Sequence, residues 1–398
     1  MNNKKICFLT ELPIESEGGA SLRVFYEYIN YFLKERYDVY YIALTPSIKK
    51  PKLIWSIKKK KLKPKSFFIK CNQQLIPNRF GLINKLDKTN KIKEILKKNK
   101  IKLVVAFDVV MASQIYKIKN VKKIAWLGDL RFDTNFYNFF YNLRNNIKLI
   151  KNFPFIIVQN FLLKKEYKSI LLKMDETIVS SLSSVRKLSK INVFSKFLAY
   201  PWPKTIGDIK KHNLADTPTF LFFGNLSGLG SKSSIYELLF KIYPLLKKKM
   251  GKGNFKILIG GINFDKSLFK QYDLKKFEGI KFIGFIKKIE QIAEMCVGVI
   301  FPGNVPVGNR CRLISCLSAK ILVIAHKSCT LGNPYLIDGK TALIAKNPKE
   351  FVKKMQFANE NIHECEKIKT NGKIVYEKYF NPNEACKYFE KIINEKNS

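Results

Sequence analysis

The sequence predicts an α/β fold made of two parallel-sheet domains facing each other across a cleft. Three observations predict it. Short apolar runs of β type alternate with segments of helical period along the whole chain. That alternation breaks once, in a Pro- and Gly-punctuated stretch near 200–218, and then restarts. A glycine-containing strand-to-helix loop opens each half. Ligands of open α/β sheets bind beyond the carboxyl ends of the strands, so both halves can present loops to one cleft.

The elements follow in order. Residues 5–10 read as a buried strand, and Leu22, Phe25, Tyr26, Ile29, Phe32 and Leu33 then recur at helical spacing. Strands are expected at 39–44, 103–107, 124–127 and 177–180, with a basic helix through Ile92, Ile95 and Leu96. After Pro201, Pro203, Gly207 and Pro218 the pattern resumes. Residues 219–223 form a strand ending at Gly224, and Ile235, Leu238, Leu239 and Ile242 form a helical stripe. A strand at 256–259 is closed by Gly260-Gly261, and further strands are expected at 281–283, 297–301 and 321–325. The chain closes with an amphipathic helix over 384–394 through Ala385, Tyr388, Phe389 and Ile392.

Composition narrows the class. The 398 residues carry 73 Lys+Arg against 31 Asp+Glu, a formal charge of +42, with 46% apolar residues. Such apolar content excludes a disordered tail, and collagen-like, mucin-like and small disulfide-framework proteins are excluded with it. The longest apolar window, 153–163, is interrupted by Pro154, Gln159 and Asn160, so no spanning helix is expected. Residues 6–9 are too short for a signal-peptide core, and the expected location is cytoplasmic. Eight cysteines show no C-x-x-C spacing and histidines number three, so neither a disulfide framework nor a zinc site is expected. Cys7, Cys296 and Cys316 lie in apolar runs as small buried hydrophobes.

The charge has a bland source in Lys/Asn/Ile-rich coding bias, but its distribution is uneven. Residues 49–70 hold ten lysines and no carboxylate, interleaved with Leu53, Ile54, Trp55, Ile57, Phe67 and Phe68. Basic residues mixed with apolar ones suit an anionic membrane surface, at about 1 kcal/mol per cation. A solvated loop is the alternative, and with no nucleic-acid module present, nucleic acid is not the expected partner.

Two loops carry phosphate-binding chemistry. The first strand is followed by Glu17-Gly18-Gly19-Ala20-Ser21 and a helix, where free helix N–H groups meet either a phosphate or only the turn itself. The second half opens with Phe223-Gly224-Asn225-Leu226-Ser227-Gly228-Leu229-Gly230-Ser231-Lys232, a glycine-rich loop with one cation. Neither is a G-x-G-x-x-G or Walker A sequence.

Several segments in order resemble glycosyltransferases of the GT-B fold, in the broad group that includes glycosyltransferase family four. These are KKICFLTELPIESEGGASLRV, FLFFGNLSGLGSKS, KFIGFI, VGVIFPGNVPVGNRCRLISCLSAKILVIAH, PYLIDGKTALI and FNPNEACKYFEKII. The resemblance implies two Rossmann-like domains. They are an acceptor-binding domain over 1–200, a linker over 201–218, a nucleotide-sugar domain over 219–380, and a helix over 381–398 that packs back on the first domain. It also implies a retaining, metal-independent transfer with a nucleotide sugar as co-substrate and no cofactor. The acceptor would be a surface glycan or lipid-linked saccharide at the inner membrane face.

The chain departs from the family at defined positions. The family's two donor-domain glutamates, one of which binds the donor ribose, fall at Val307 and Ser315. Its arginine after the loop glycine is Asn225, its lysine is matched by Lys232, and its acceptor-side histidine falls at Gly128, beside Asp129. In their place stands Gly308-Asn309-Arg310-Cys311-Arg312, similar to the G-x-R-x-R of a subgroup that also has V-x-A-H, here Val323 to His326. The implied donor set is therefore Gly224, Asn225, Lys232, Gly260, Gly308, Asn309, Arg310, Arg312, Ser315 and His326. Gly18 and Gly19 form the acceptor-side loop, and no residue is assigned to a metal.

Elementary physics agrees in part. Cations aimed at a leaving diphosphate stabilise the transition state, and Arg310 and Arg312 at a helix start oppose its dipole unless an anion is bound there. Asp129 follows a strand and a glycine and suits general-base or hydroxyl-binding work, with a helix or turn cap as the plain alternative. His326 ends an apolar strand, where a hydrogen-bonded structural histidine competes with a donor contact. Glu237 reads as a helix-surface residue. A catalytically silent binding or scaffold protein is the main rival reading, favoured by the missing glutamates.

Overall fold

The computed structural model of the protein describes residues 4–11, 20–45, 63–70, 88–207, 209, 214–251, 253–263, 277–307 and 309–395. The chain divides into two compact units, Met1–Pro201 with Pro382–Ser398, and Trp202–Asn381.

The first unit is one seven-stranded sheet. Its strands are β1 (Lys5–Thr10), β2 (Asp38–Thr45), β3 (Lys65–Lys70), β4 (Leu103–Phe107), β5 (Lys122–Leu127), β6 (Glu176–Val179) and β7 (Lys196–Phe197), in the order β3-β2-β1-β4-β5-β6-β7. Every pairing is parallel, with Cys7 opposite Tyr40 on one side and Val104 on the other. Ile6 to Thr10 are all buried, because helices cover both faces of a parallel sheet. On one face Phe25 packs edge-on to Trp126 at 5.5 Å and to Phe107 at 4.6 Å. Cys7, Leu9, Ile42, Val104 and Ala106 belong to the core cluster of the other face.

Strand β3 corrects part of the reading of 49–70. Its Ile69 is buried, Phe67 packs against the core, and Phe68 meets the Tyr41 ring at 6.4 Å. These apolar residues serve a sheet edge rather than a bilayer. Positions 49–62 lie outside the described residues.

The closing helix, Pro382–Asn394, belongs to the first unit. Phe389 packs tilted against Tyr28 at a ring distance of 4.4 Å, and the hydroxyls of Tyr31 and Tyr37 each donate to Glu390 at 2.7 Å. Nearby, burial pushes Glu27 up to about 7, with Arg23 and Lys34 offsetting only part of the cost. A carboxyl raised in the folded state contributes stability that is full below its unfolded value and is lost as pH rises through 7. Glu27→Gln is therefore expected to leave Tm unchanged at pH 4 and to raise it by roughly 2–5 °C at pH 8.5. Equal shifts at both pH values in a thermal melt would contradict this.

The second unit repeats the topology. Its strands β8 (Thr219–Asn225), β9 (Lys256–Ile262), β10 (Ile280–Gly284), β11 (Gly298–Phe301), β12 (Val323–His326) and β13 (Leu343–Ala345) run β10-β9-β8-β11-β12-β13, all parallel. Both sheets thus have the doubly wound Rossmann order, with chain direction switching at β1/β4 and at β8/β11. Strands β8 and β9 run through the glycines expected to end them, pairing Gly224 with Gly261. Both glycines have positive φ, +133° and +150°, so the ladder continues where an L side chain would be strained.

From Trp202 onward, the Pro-rich stretch at 201–218 belongs to this unit. Trp202 is buried, its N–H donates to Phe380 at 2.8 Å, and its carbonyl accepts from the Tyr376 hydroxyl at 3.0 Å. Ile206 is buried as well.

Candidate functional site

In the second unit the two loops at the β8/β11 switch point are built into one another. The loop after β8 is tightened by Asn225, whose Oδ1 accepts from the Ser227 N–H (3.1 Å) and hydroxyl (2.8 Å). The Ser231 hydroxyl donates back to the Asn225 carbonyl at 2.6 Å. The helix Leu229–Glu237 then begins without a side-chain cap or an acidic first turn, and Lys232 sits half-buried on that turn. Its unpaired N–H groups and its dipole favour an anion.

The loop after β11 is described over Pro302 to Val307, and Asn309 and Arg310 precede the helix Cys311–Ser318. Ser328 donates to the Gly303 carbonyl at 2.6 Å, and Asn304 donates to Glu237 at 3.0 Å and accepts from Ser233 at 3.3 Å. Glu237 is 7% exposed, so it is a buried anchor for this loop and not the surface residue its helical position suggested.

Two arginines join the loops. Arg310 donates to the Val305 carbonyl at 2.9 Å and lies against Gly230, where a Cβ would collide with its guanidinium. Arg312 donates to the Phe223 carbonyl and to the Ser231 hydroxyl, and lies 5.3 Å from the Phe222 ring and 5.9 Å from the Phe301 ring. A Cβ on Gly224 would strike its side chain. The loop glycines therefore make room first for the arginines. Burial and the neighbouring Arg310 charge push Arg312 down to about 10. Among the described residues no carboxylate lies within ion-pair distance of Lys232, Arg310 or Arg312. Two adjacent guanidiniums without a described carboxylate partner form a site that an anion would relieve.

Other expected donor residues are occupied otherwise. Ser315 is 4% exposed, accepts from Trp202 Nε1 at 2.9 Å and bonds the Thr205 hydroxyl at 2.6 Å. At this position, where the resemblance puts one of two glutamates, the chain has a serine sealed by an indole. Asn309 donates to the Gly332 carbonyl at 3.2 Å. Gly260 makes room for Ile286. His326 accepts from the Ser328 N–H through Nδ1 and donates through Nε2 to the Lys346 carbonyl, both at 3.1 Å. Burial, with a smaller push from Arg310, lowers its pKa, and the neutral ring caps the turn Lys327–Leu331. Gly18, Gly19 and Gly308 lie outside the described residues.

In the first unit the switch-point strands end in charge. Glu11 follows β1, Asp108 follows β4, and Arg131 begins the helix after β5. Arg131 donates to Asp108 at 2.8 and 3.0 Å and to Glu11 at 3.3 Å. Its own N–H donates to the Tyr167 hydroxyl at 3.0 Å. Asp108 holds φ of +67°, a strained conformation for a non-glycine residue. Burial raises the Glu11 carboxyl, opposed by Arg131. Asp129 is exposed on the turn after β5, and Asp133 is ion-paired with Lys187. Glu11 and Asp108 escaped the sequence reading, although each directly follows a switch-point strand. Among the described residues no cluster of His, Cys, Asp and Glu could hold a metal ion.

Comparison with known proteins places this architecture. Residues 217–361 match the family model described as glycosyl transferases group 1. No curated protein matches the sequence. A glycosyltransferase from Rickettsia africae is similar in structure at 17% identity, TM-score 0.69, covering 100% of both chains. A sucrose-phosphate synthase from Thermosynechococcus elongatus is similar at 13% identity and TM-score 0.67, covering 98% of each chain. HepE from Anabaena in complex with UDP is similar at 13% identity and TM-score 0.65, covering 98% of this chain and 99% of that one. At such identity the likeness establishes the fold, which is GT-B.

Proposed function

We propose that this GT-B chain, whose second lobe carries the group 1 glycosyl transferase match, moves a sugar from a uridine-diphosphate donor to a saccharide hydroxyl. The carrying observation is the set of Lys232, Arg310 and Arg312, cationic and without a described carboxylate partner at the β8/β11 switch point. UDP is the nucleotide named with HepE, and UDP-glucose with another structure of the same protein.

In the reaction the acceptor oxygen bonds the anomeric carbon as its bond to the diphosphate oxygen breaks. The electron pair leaves with the diphosphate. Arg310, Lys232 and the first N–H groups of Leu229–Glu237 stabilise that developing charge without a metal ion. Arg312, tied to Phe223 and Ser231, holds the loop and contributes field. Retention follows from the family resemblance, the acceptor proton passing to the departing phosphate on the same face of the sugar. Asp129, exposed beyond β5, would bind acceptor hydroxyls alongside the Glu11–Arg131–Asp108 group. The acceptor would be a surface glycan or lipid-linked saccharide at the cytoplasmic membrane face.

A silent binding protein is the second reading, favoured by the sealed Ser315 and by Val307. A thermal-shift screen of UDP, UDP-sugars, ADP and GDP tests the first. Saturating UDP compounds are expected to raise Tm by at least about 2 °C, and Lys232→Ala to halve that shift. No shift with any nucleotide would defeat the proposal. Binding without donor turnover in the presence of saccharide acceptors would favour the silent protein.

A further inference from the structure

The helical hairpin Arg131–Asn145 and Phe153–Leu171 carries an apolar surface that the sugar chemistry does not use. Its two arms pack through Phe132 on Tyr167 at 5.1 Å and Phe139 on Phe153 at 6.2 Å, and Asn160 donates to the Phe132 carbonyl at 2.6 Å. The second arm changes character along its length. Leu163, Tyr167, Ile170 and Leu171 are buried, while Phe155, Ile157, Val158 and Phe161 are exposed. The tip between the arms, Ile147–Asn152, has no buried residue, and Ile147 is 72% and Ile150 51% exposed.

Leaving six large apolar side chains in water on one contiguous stretch costs free energy that a monomeric surface avoids. The charge around them indicates the occupant. Positions 134–165 contain Arg144, Lys148, Lys151, Lys164 and Lys165 and no Asp or Glu. Arg144, Lys148, Lys151 and Lys165 are exposed, and Lys148 and Lys151 alternate with the exposed isoleucines. Cations mixed with protruding aliphatic and aromatic groups complement anionic headgroups over acyl chains. A hairpin tip also needs no shape-matched pocket to enter a bilayer interface. No described helix is long and apolar enough to cross a membrane.

We propose that the hairpin tip and the adjoining first half of the second arm, 147–161, insert into the interface of an anionic phospholipid bilayer. Ile147, Ile150, Ile157 and Phe161 would enter the acyl boundary, with Lys148 and Lys151 at the headgroups. This puts a membrane contact on an element other than 49–70, and it deepens the proposed membrane-side acceptor, on which only its purpose rests. Vesicle binding is read without donor or acceptor, so its failure leaves the transfer reaction untouched.

The test is co-sedimentation of the full chain with vesicles of phosphatidylcholine containing about 30% phosphatidylglycerol, at about 0.1 M salt. The parent is expected to bind, and Ile150→Asn with Phe161→Asn to lower the bound fraction at least about tenfold with an unchanged melting profile. As a gentler variant, Ile157→Trp should bind like the parent and blue-shift its emission when vesicles are added. Retained binding by the Asn pair, or an Ile157→Trp emission unmoved by vesicles, overturns the proposal. So does a vesicle-free dimer that the Asn pair dissociates, which would assign the tip to a second copy of the chain.

Discussion

Replacing Arg310 by alanine is expected to lower kcat/KM for sugar transfer about 100-fold, or roughly 3 kcal/mol of transition-state stabilisation. The side chain lies against Gly230 in the glycine loop and spends one described hydrogen bond on Val305. No described carboxylate pairs with it, so its charge can meet an incoming diphosphate. The loss should divide unevenly. Ground-state binding of UDP should weaken by only about threefold and kcat should carry the rest, about thirtyfold, because charge grows on the leaving group only as the bond breaks. Arg310→Lys keeps the charge but loses the planar fork, and should recover part of the rate. Steady-state kinetics of the three proteins decides the matter. A parent-like kcat/KM for the alanine variant would remove Arg310 from the donor site.

Gly261→Ala should destabilise the second unit by about 3 kcal/mol or more. Gly261 holds φ of +150°, and a Cβ there would land on the Gly224 carbonyl oxygen, a backbone atom that cannot swing aside. Gly224 in turn leaves room for Arg312, so the disturbance reaches the cation site through one strand pairing. Gly339 is the internal control. Its φ is +70°, and an added methyl group would meet nothing within 4 Å, so Gly339→Ala should cost only about 1 kcal/mol. Urea unfolding of the two variants should show the difference. Equal midpoints would mean that the β8–β9 pair tolerates a side chain and that the close approach is not structural.

Two of the differences from the family pattern meet one structural feature. Ser315 and Val307 replace the glutamates, and Trp202 closes over Ser315. A carboxylate at 315 would have to be desolvated beside the indole, so the substitution and the seal belong together.

Both doubly wound sheets were legible in the sequence because their strands are buried on both faces and read as continuous apolar runs, as Ile6 to Leu9 and Val299 to Phe301 do. The short edge strands β7 and β13 carry too few residues for a period, and β3 was masked by its lysines. Glycine in β8 and β9 read as an end signal, yet the neighbouring glycine lets the ladder pass.

The sequence alone determined the α/β alternation, the glycine loops and the presence of two arginines before a helix, because each is a property of a few consecutive residues. Which side chains those features serve is set by packing in three dimensions. Arg312 meets Phe223 from 89 positions away, Trp202 meets Ser315 from 113, and Asn304 meets Glu237 from 67. Hydrogen bonds and burial across such separations are set when the strands assemble into a sheet, and a local pattern carries no record of them.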